Sequence, residues 1–505
     1  MNRFRSLSIV ALGAIATPAA ADLTAQQLFD DWQTNAALLG ATLEADVAST
    51  GSGLQVSNMT FVQEISGDGV GPDMTSRTMM GPIELVENGD GSVSIVLASP
   101  FPISFDLEGD PDLAAMSSGG VLASFSGLSV TAAGDPENIT YTYIADSISV
   151  VPGEMPEMPP GASFDMEIAM RDVAATYVLT GTGLDRITDT DGSFSAMTVS
   201  FDGGDGSESG KMTLALGATT LAAEGTMMSW RNYVQSMTLQ NPGQANVTPG
   251  GVDITGSMTY DSAAFDLQVE GPSPVTISSS NGGGAANVAF GATGISYDIS
   301  ARNAEIAIAS SDIPVPVELS AATTGLVFTM PTAPQPEPSD IAIGLGYTDL
   351  VVNEAVWSMV DPSQTLPRDP ATVQLDLTGT VQLFVNLMAM DPTTMRGPPG
   401  EMRSLSLNEL LIRAVGAELT GQGAVTFEPG RFPPSPVGRV DLGLSGLQGL
   451  LDNLTQAGLL PLEQAGMVSA MTGMFARPGA GPDTLESTIE FTPGGGITAN
   501  GIPLQ

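Results

Sequence analysis

The sequence predicts a mainly β protein built from long, antiparallel, curved and amphipathic sheets, arranged as a sandwich or an open groove. Two observations carry this prediction. Apolar and polar residues alternate with a period of two in many segments, and 59 glycines and 36 prolines supply frequent turns. The hydrophobic content of 42% is too high for a disordered chain. We expect a short helix at the start of the mature chain and two short helices near the C-terminus.

Residues 1–21 are typical of a secretory signal peptide. Two arginines precede an apolar stretch at residues 6–16, and small residues at Ala19 and Ala21 form a cleavage site. An uncleaved anchor is the alternative, but the stretch is shorter than the roughly 20 residues that span a bilayer. We therefore predict a Sec-type signal, a soluble periplasmic protein, and no integral membrane segment after cleavage.

Helices are predicted at both ends of the mature chain. Thr24 and Gln27 form a capping box, and Gly40 suits the C-cap of the first helix. Its apolar face comprises Phe29, Trp32, Ala36 and Leu39, and Trp32 is interpreted as its anchor on the sheet. Leucines and methionines at helical spacing predict two later helices, interrupted at Pro461: Leu447, Leu450, Leu451, Leu454, Met467, Met471 and Met474. These two helices would cap one end of a sheet.

Segments with a period of two predict strands with one apolar and one polar face. The longest occupies residues 373–387, where apolar side chains take odd positions and Gly379 interrupts them, so we expect a bend there. Shorter segments recur along the chain: 139–143, 166–170, 265–269, 295–299, 341–347 and 485–491. Because each has a single apolar face, we predict antiparallel sheets that are covered on one side.

Proline-rich stretches predict the joints of the chain. Residues 331–340 form the main linker, between a β-rich region at residues 22–330 and a second at residues 341–505 that carries the helical cap. A further proline-rich stretch occupies residues 151–160.

The segment before the longest alternation combines a tryptophan, an arginine and two aspartates, and it has two interpretations. Two Asp-Pro pairs favour turns, and an arginine beside them can pair with an aspartate to fix the start of the strand. A ligand-binding cluster is the alternative, but no other motif in the sequence supports it. We predict a structural corner formed by Trp357, Asp361, Pro362, Arg368, Asp369 and Pro370.

The sequence contains no histidine and no cysteine, which excludes several classes of catalytic site. Ser-His-Asp triads, thiol nucleophiles, imidazole acid–base catalysis and most zinc sites cannot be built. Lys211 is the only lysine, and the stretch at residues 203–212 lacks the first glycine and the Ser or Thr of a phosphate-binding loop. A hydrolase with paired carboxylates is an alternative, although aromatic residues, which usually line carbohydrate clefts, make up only 5%. We predict no enzyme activity, no cofactor and no metal site.

Four segments resemble a known family: WSMVDPSQTLPRDPATVQLDLTG from Trp357, GAELTGQGAVTF at residues 416–427, GLLDNLTQAGLLPLEQAG at residues 449–466, and GGGITANGIPL at residues 494–504. They are similar to the domain-of-unknown-function 2125 family of exported bacterial proteins, and the resemblance runs from the signal to the last residue. The family has no assigned activity, so it implies no catalytic residues. The C-terminal pattern is a leucine-rich helix, an amphipathic strand and then the dipeptides NG and PL. This pattern also resembles, more loosely, AsmA-like envelope proteins, which are elongated β structures associated with lipid traffic.

We predict a non-enzymatic periplasmic protein that holds a hydrophobic ligand or lipid in a β groove. One-sided amphipathic strands must cover their apolar faces, and 25 methionines suit a wall that adapts to acyl chains, with core packing as the alternative. These methionines include Met79, Met80, Met227, Met228, Met388 and Met390. The alternative function is a structural or interaction module of the cell envelope that binds another protein by a sheet edge. The net charge of −41 disfavours nucleic acid and anionic lipid headgroups as partners.

Overall fold

A computed structural model describes residues 22–65, 74–109, 118–155, 158, 160–229, 231, 253–291, 294–387, 397–430 and 434–504. The predicted signal peptide, Met388 and Met390 lie outside the described residues, as does part of the proline-rich stretch at 151–160. The helices with defined bounds are α1 (Ala25–Leu38), α2 (Glu354–Val360), α3 (Leu447–Gln456), α4 (Leu462–Phe475) and a 3₁₀ turn at Gly183–Asp185.

The strands have the following bounds in chain order: β1 Ala41–Ser49, β2 Gly53–Ile65, β3 Met74–Met80, β4 Ile83–Glu87, β5 Val93–Leu97, β6 Phe101–Glu108, β7 Ser118–Ser126, β8 Ser129–Asp135, β9 Asn138–Pro152, β10 Ser163–Thr180, β11 Ile187–Phe194, β12 Ala196–Gly204, β13 Ser209–Leu216, β14 Thr219–Thr226, β15 Ile254–Tyr260, β16 Ala263–Glu270, β17 Val275–Asn281, β18 Gly284–Gly291, β19 Gly294–Ser310, β20 Val317–Met330, β21 Ser339–Val352, β22 Ala371–Leu383, β23 Gly400–Ala414, β24 Ala417–Phe427, β25 Pro436–Ser445, β26 Arg477–Pro478, β27 Thr484–Phe491, β28 Ile497–Ala499 and β29 Ile502–Pro503.

All of these strands belong to one antiparallel sheet. Many are halves of a longer strand: β3 with β4, β5 with β6, β7 with β8, β11 with β12, β13 with β14, β15 with β16, and β17 with β18. For example, β11 and β12 together pair with the whole of β10. The sheet is therefore an up-and-down meander of long strands, each hydrogen-bonded to the strand before and after it. The predicted mainly β, antiparallel fold is confirmed.

The sheet continues through the predicted linker. Strands β20 and β21 pair from Leu319, opposite Val352, to Thr329, opposite Ala342. Residues 331–338 connect these two strands, and residues 339 and 340 already belong to β21. The proline-rich segment is thus the loop of a hairpin inside one sheet.

The predicted terminal helices are confirmed. Thr24 caps α1: its hydroxyl accepts a hydrogen bond from the backbone N–H of Gln27, and its own backbone N–H donates to the side chain of Gln27, as a capping box requires. Gly40 follows the helix with φ +86°, the left-handed conformation that favours glycine. Helices α3 and α4 coincide with the leucine and methionine spacings near the C-terminus. The sequence did not predict α2, a short helix that begins the corner segment.

Irregular backbone positions line up across the sheet at the same height in successive strands, and we call this line the crease. At each crossing one strand carries a left-handed residue, a bulge or a break of one to three residues. From β2 to β21 the crease consists of Asn58, Gly81–Pro82, residues 98–100, Gly127–Leu128, Asp146, Asp172, Ser195, Gly217–Ala218, Asp261–Ser262, Gly282–Gly283, Asn303, Ala322 and Asp349.

The crease bends the sheet without changing which face is apolar. In β10, for example, Met170 and Val173 are three residues apart and flank Asp172, whose φ is +48°. The extra residue restores both side chains to one face, as a β-bulge does, and it also bends the strand. Because bulges at one height recur in neighbouring strands, we expect the sheet to bend along the crease, and we call the parts of the sheet on either side of it the two walls.

A closed core lies at the N-terminal end of the sheet. Helix α1 packs its buried Leu28 and Phe29 against apolar residues of the first strands, including Val56, Leu85 and Ile139. Each fully buried side chain of this size contributes roughly 1.5–3 kcal/mol, so α1 is held mainly by this packing. The apolar face of the sheet is thereby covered at this end.

Candidate functional site

One face of the sheet is apolar along its length. Residues that pair directly across antiparallel strands lie on the same face, so the strand register assigns every side chain to a face. From β9 to β28, the described positions of this face carry no charged side chain, although 71 residues of the chain are Asp, Glu, Lys or Arg. The charged residues of these strands lie on the opposite face or at the crease. We call the uncharged surface the apolar face.

An aromatic group marks the point where α1 stops covering the apolar face. Trp32 donates a hydrogen bond through Nε1 to the Tyr141 hydroxyl at 3.0 Å, as expected for an anchor of α1. The Tyr141 ring lies 6.3 Å from that of Tyr143 and 5.9 Å from that of Tyr177. Burial raises the pKa of Tyr177 to about 12 and raises that of Tyr141 further, so these phenols stay neutral at ordinary pH.

A buried ion pair ties α1 to the sheet beside this group. Arg186 donates through one terminal nitrogen to Asp31 at 2.5 Å and to Asn35 at 3.1 Å, and through the other to the carbonyl of Pro136 at 3.2 Å. Both charged side chains are nearly inaccessible. Burial raises the pKa of Asp31, and the Arg186 guanidinium opposes that rise. The pair fixes the position of α1 without placing an unpaired charge on the apolar face.

Farther along the sheet, the same face is open to solvent. Six large apolar side chains are 38–47% exposed, and we call them the open patch: Ile299, Leu326, Ile343, Leu345, Tyr347 and Ile412. They are neighbours in the register, since Ile299 pairs with Leu326 and Leu326 with Leu345. The open patch therefore extends across β19 to β23 as one surface.

The rest of this face is not a closed core either. Beyond Phe194, few described apolar residues reach full burial: Met227, Ala321, Leu366, Leu383, Leu451, Ala465 and Ala499. In β15 the apolar positions are half-buried and alternate with exposed polar ones along the whole strand. A face that met a second sheet would be buried throughout at those positions. Of the two arrangements that the sequence predicted, the exposure of this face favours the open one over a closed sandwich.

The predicted methionines are divided between several environments. Met80 lies half-buried on the apolar face, whereas Met79 is on the opposite face and 40% exposed. Met227 is buried and Met228 half-buried at the end of β14. Other methionines line the apolar face at paired positions, as Met170 does opposite Met197.

The predicted corner lies where one wall of the sheet ends. Beyond the crease, β21 is followed by α2 instead of by a strand, and β22 resumes at Ala371, opposite Leu350. The guanidinium of Arg368 lies 5.7 Å from the centre of the Trp357 ring and forms an ion pair with Glu354 in the first turn of α2. Arg368 thus joins α2 to the start of β22.

Asp361 organises the turn within this corner. Its backbone N–H donates to the carbonyl of Trp357 at 2.7 Å, and its buried carboxylate accepts from the backbone of Leu366 at 2.8 Å. That hydrogen bond lowers the pKa of the Asp361 carboxyl. Arg368 bonds to the carbonyl of Asp361 rather than to its carboxylate. The remaining predicted corner residues, Pro362, Asp369 and Pro370, are exposed in the same loop.

Acidic residues cluster elsewhere on the polar face. A shallow depression of about 590 Å³ is lined by Asp266, Glu305 and Glu318 together with several serines. Within the described part of the chain, no three Asp or Glu side chains come close enough to hold a metal ion. No described helix is both long and apolar enough to cross a bilayer.

Comparison with known proteins finds a family match in the C-terminal part of the chain. Residues 257–504 match the family described as an uncharacterized protein conserved in bacteria (DUF2125). The match begins in β15 and includes the open patch, the corner, α3 and α4, so it covers less of the chain than the resemblance predicts. No curated protein matches the chain. No solved structure matches it either, and the looser likeness to AsmA-like proteins stays a prediction.

Proposed function

Residues 257–504 match the DUF2125 family, and we propose that the protein holds acyl chains of lipids, or similar hydrophobic ligands, on its apolar face. One observation carries the proposal: from β9 to β28 the described positions of this face are uncharged, yet most of them remain accessible. Soluble proteins rarely expose continuous apolar surfaces of this extent unless the surface binds something. An acyl chain is a suitable occupant because it needs no polar partner.

The chemistry of the surface favours lipid over a polar substrate. The open patch consists of aliphatic side chains and one tyrosine, which offer dispersion contacts and few hydrogen bonds. A substrate with many hydroxyls would leave polar groups without partners there. The function is therefore holding or carrying, with no catalytic step. We place it in the periplasm of a bacterial cell, on the basis of the predicted signal peptide.

The first test is extraction of lipid from the purified full chain. Organic extracts analysed by mass spectrometry should contain phospholipid or fatty acid in amounts comparable to the protein. The delipidated protein should then bind a fluorescent fatty acid. Protein that yields no lipid and binds no probe would contradict the proposal.

Matched variants locate the binding on the apolar face. Leu326→Gln, Ile343→Gln and Leu345→Gln, made together, should weaken probe binding by about tenfold or more, because each removes apolar contact. The control combines Val96→Gln, Ile144→Gln and Val351→Gln, which are 42–51% exposed on the opposite face. The control should bind the probe as the unmodified protein does. Equal losses in both variants would place the probe elsewhere.

A protein partner is the alternative occupant. Under that alternative, crosslinking in the periplasm captures one stable partner, and extracts of the purified chain contain no lipid. The triple variant of Leu326, Ile343 and Leu345 distinguishes the two cases, since binding by a sheet edge would not depend on these side chains.

A further inference from the structure

Helix α4 presents its large apolar side chains to solvent, and Ala465 is its one buried residue. Its exposed apolar residues are Leu462 (76%), Met467 (58%), Met474 (56%), Met471 (54%), Val468 (40%) and Phe475 (37%). Ala465 is buried instead, and Ser469 donates to the side chain of Gln448 on α3 at 3.3 Å. A helix that packed for stability alone would turn its large apolar side chains, including its methionines, toward the protein. The orientation is therefore that of a docking surface.

The helix is held firmly where it meets the last strands. Ser487 and Asn500 both donate hydrogen bonds to the carbonyl of Phe475, at 2.7 Å and 2.9 Å. Asp483 accepts from the backbone of Gln448 and Gly449 at the start of α3, so the α3–α4 hairpin is fixed to the sheet at its first turn as well. The apolar surface of α4 is thus presented in a defined place beside β27.

We propose that α4 inserts its Met467, Met471 and Met474 side into the surface of a lipid bilayer with neutral headgroups. This inference rests on the proposed function. The hairpin lies at the C-terminal end of the apolar face, which runs through β25 and β27. Docking there brings the end of the lipid-holding surface to a membrane, where acyl chains enter or leave.

The charges identify the kind of bilayer. Glu463 is the one charged residue within α4, and the chain as a whole carries a net charge of −41. An anionic surface repels such a protein, so attraction must come from apolar insertion, which salt does not screen. Flexible methionine side chains suit the irregular interior of a fluid interface.

The test is flotation of the full chain with phosphatidylcholine vesicles. Met467→Gln, Met471→Gln and Met474→Gln, made together, should lower the bound fraction by about tenfold or more, since three inserted side chains lose their apolar burial. The matched control is Met79→Gln, Met155→Gln and Met158→Gln, three methionines that are 40–43% exposed elsewhere. The control should float as the unmodified chain does, and binding should persist in high salt.

Other outcomes overturn the inference. Equal flotation of both variants would exclude α4 as the contact, and binding to anionic vesicles alone would contradict a bilayer with neutral headgroups. If the α4 variant instead dissolves a dimer seen by light scattering, the surface belongs to a second copy. Fatty-acid probe binding should be unchanged in the α4 variant. An unmodified chain that floats with vesicles but binds no fatty-acid probe would refute the proposed function alone. An unmodified chain that binds the probe but does not float would refute this inference alone.

Discussion

At the scale of single residues, the buried pair of Arg186 and Asp31 has the largest expected effect on stability. Arg186→Leu leaves the Asp31 carboxylate buried without its partner, which typically costs about 3–5 kcal/mol. Urea unfolding should report a loss of that size for the free energy of unfolding. Arg413→Leu, which removes an exposed pair with Glu418, should cost no more than about 1 kcal/mol.

The pH dependence of the Arg186→Leu variant follows from the pKa of Asp31. Burial already raises that pKa, and removal of the guanidinium raises it further. The folded variant then binds the Asp31 proton more tightly than the unfolded chain does. Its stability deficit relative to the unmodified protein should therefore shrink as the pH falls through the raised pKa. A deficit that is constant from neutral to acidic pH would contradict this account.

A second residue-scale prediction concerns the turn between β23 and β24. Val415 and Gly416 form a two-residue loop with φ of +46° and +81°, and the first value is unfavourable for a β-branched side chain. Val415→Asn should stabilise the protein by about 1 kcal/mol, because asparagine tolerates this conformation. Gly416→Ala should do the opposite, since its new methyl group would lie 3.2 Å from Cγ of Pro367. Thermal unfolding of the two variants checks the opposite signs.

At the scale of elements, the crease explains what the sequence could and could not predict. Crossing the crease shifts the alternation by one residue, so β19 appears in the sequence as a short alternation at residues 295–299 and not as one strand of seventeen residues. Strand β22 begins at the crease and does not cross it, so its odd-numbered alternation could be recognised, although the predicted strand runs to residue 387 and the observed one ends at Leu383. Bulges of this kind are set by pairing with neighbours, which a single sequence does not reveal.

The crease also yields a prediction about conformation. Asn303 has φ +50° in the middle of β19, so Asn303→Ala should cost about 1–2 kcal/mol of unfolding free energy, whereas Asn303→Gly should be nearly neutral. The control Asn287→Ala, at an exposed position inside β18, should change stability by no more than about 0.5 kcal/mol. Urea unfolding of the three variants distinguishes a conformational requirement from loss of a side-chain contact, because only the latter would make alanine and glycine equally costly.

The helices mark the other limit of sequence-based prediction. The capping box of Thr24 is local, and α1 could be predicted to its first turn. The exposure of Met467 and Met471 could not be predicted, because helical spacing identifies an apolar face without showing what covers it. Helix α2 is only seven residues long, and the sequence suggested a turn in its place. Local signals therefore predicted the elements, and burial depended on contacts distant in the chain.

At the scale of the whole molecule, the sheet combines a covered end with a long open surface. Helix α1 closes the apolar face near β2 and β9, and within the described residues no comparable helix packs on the face between β11 and β23. The amphipathic pattern predicted both a sandwich and a groove, because alternation is the same in either. Exposure at Ile299 and Leu326 is what distinguishes them.

If the apolar face holds acyl chains along its length, widely separated positions on it should all contact lipid. Leu221, Ile299 and Ile412 lie on this face, and seven strand spacings of about 4.8 Å put the first and last roughly 34 Å apart. One acyl chain reaches about half of a 30 Å hydrocarbon core, so a single fixed chain cannot contact all three.

A photoreactive phenylalanine analogue at each position should crosslink to lipid, whereas the same analogue at the adjacent Thr220, Ser300 and Leu411, on the opposite face, should not. Labelling confined to Ile299 would instead indicate one local pocket, and equal labelling of both faces would mean that the contact is nonspecific.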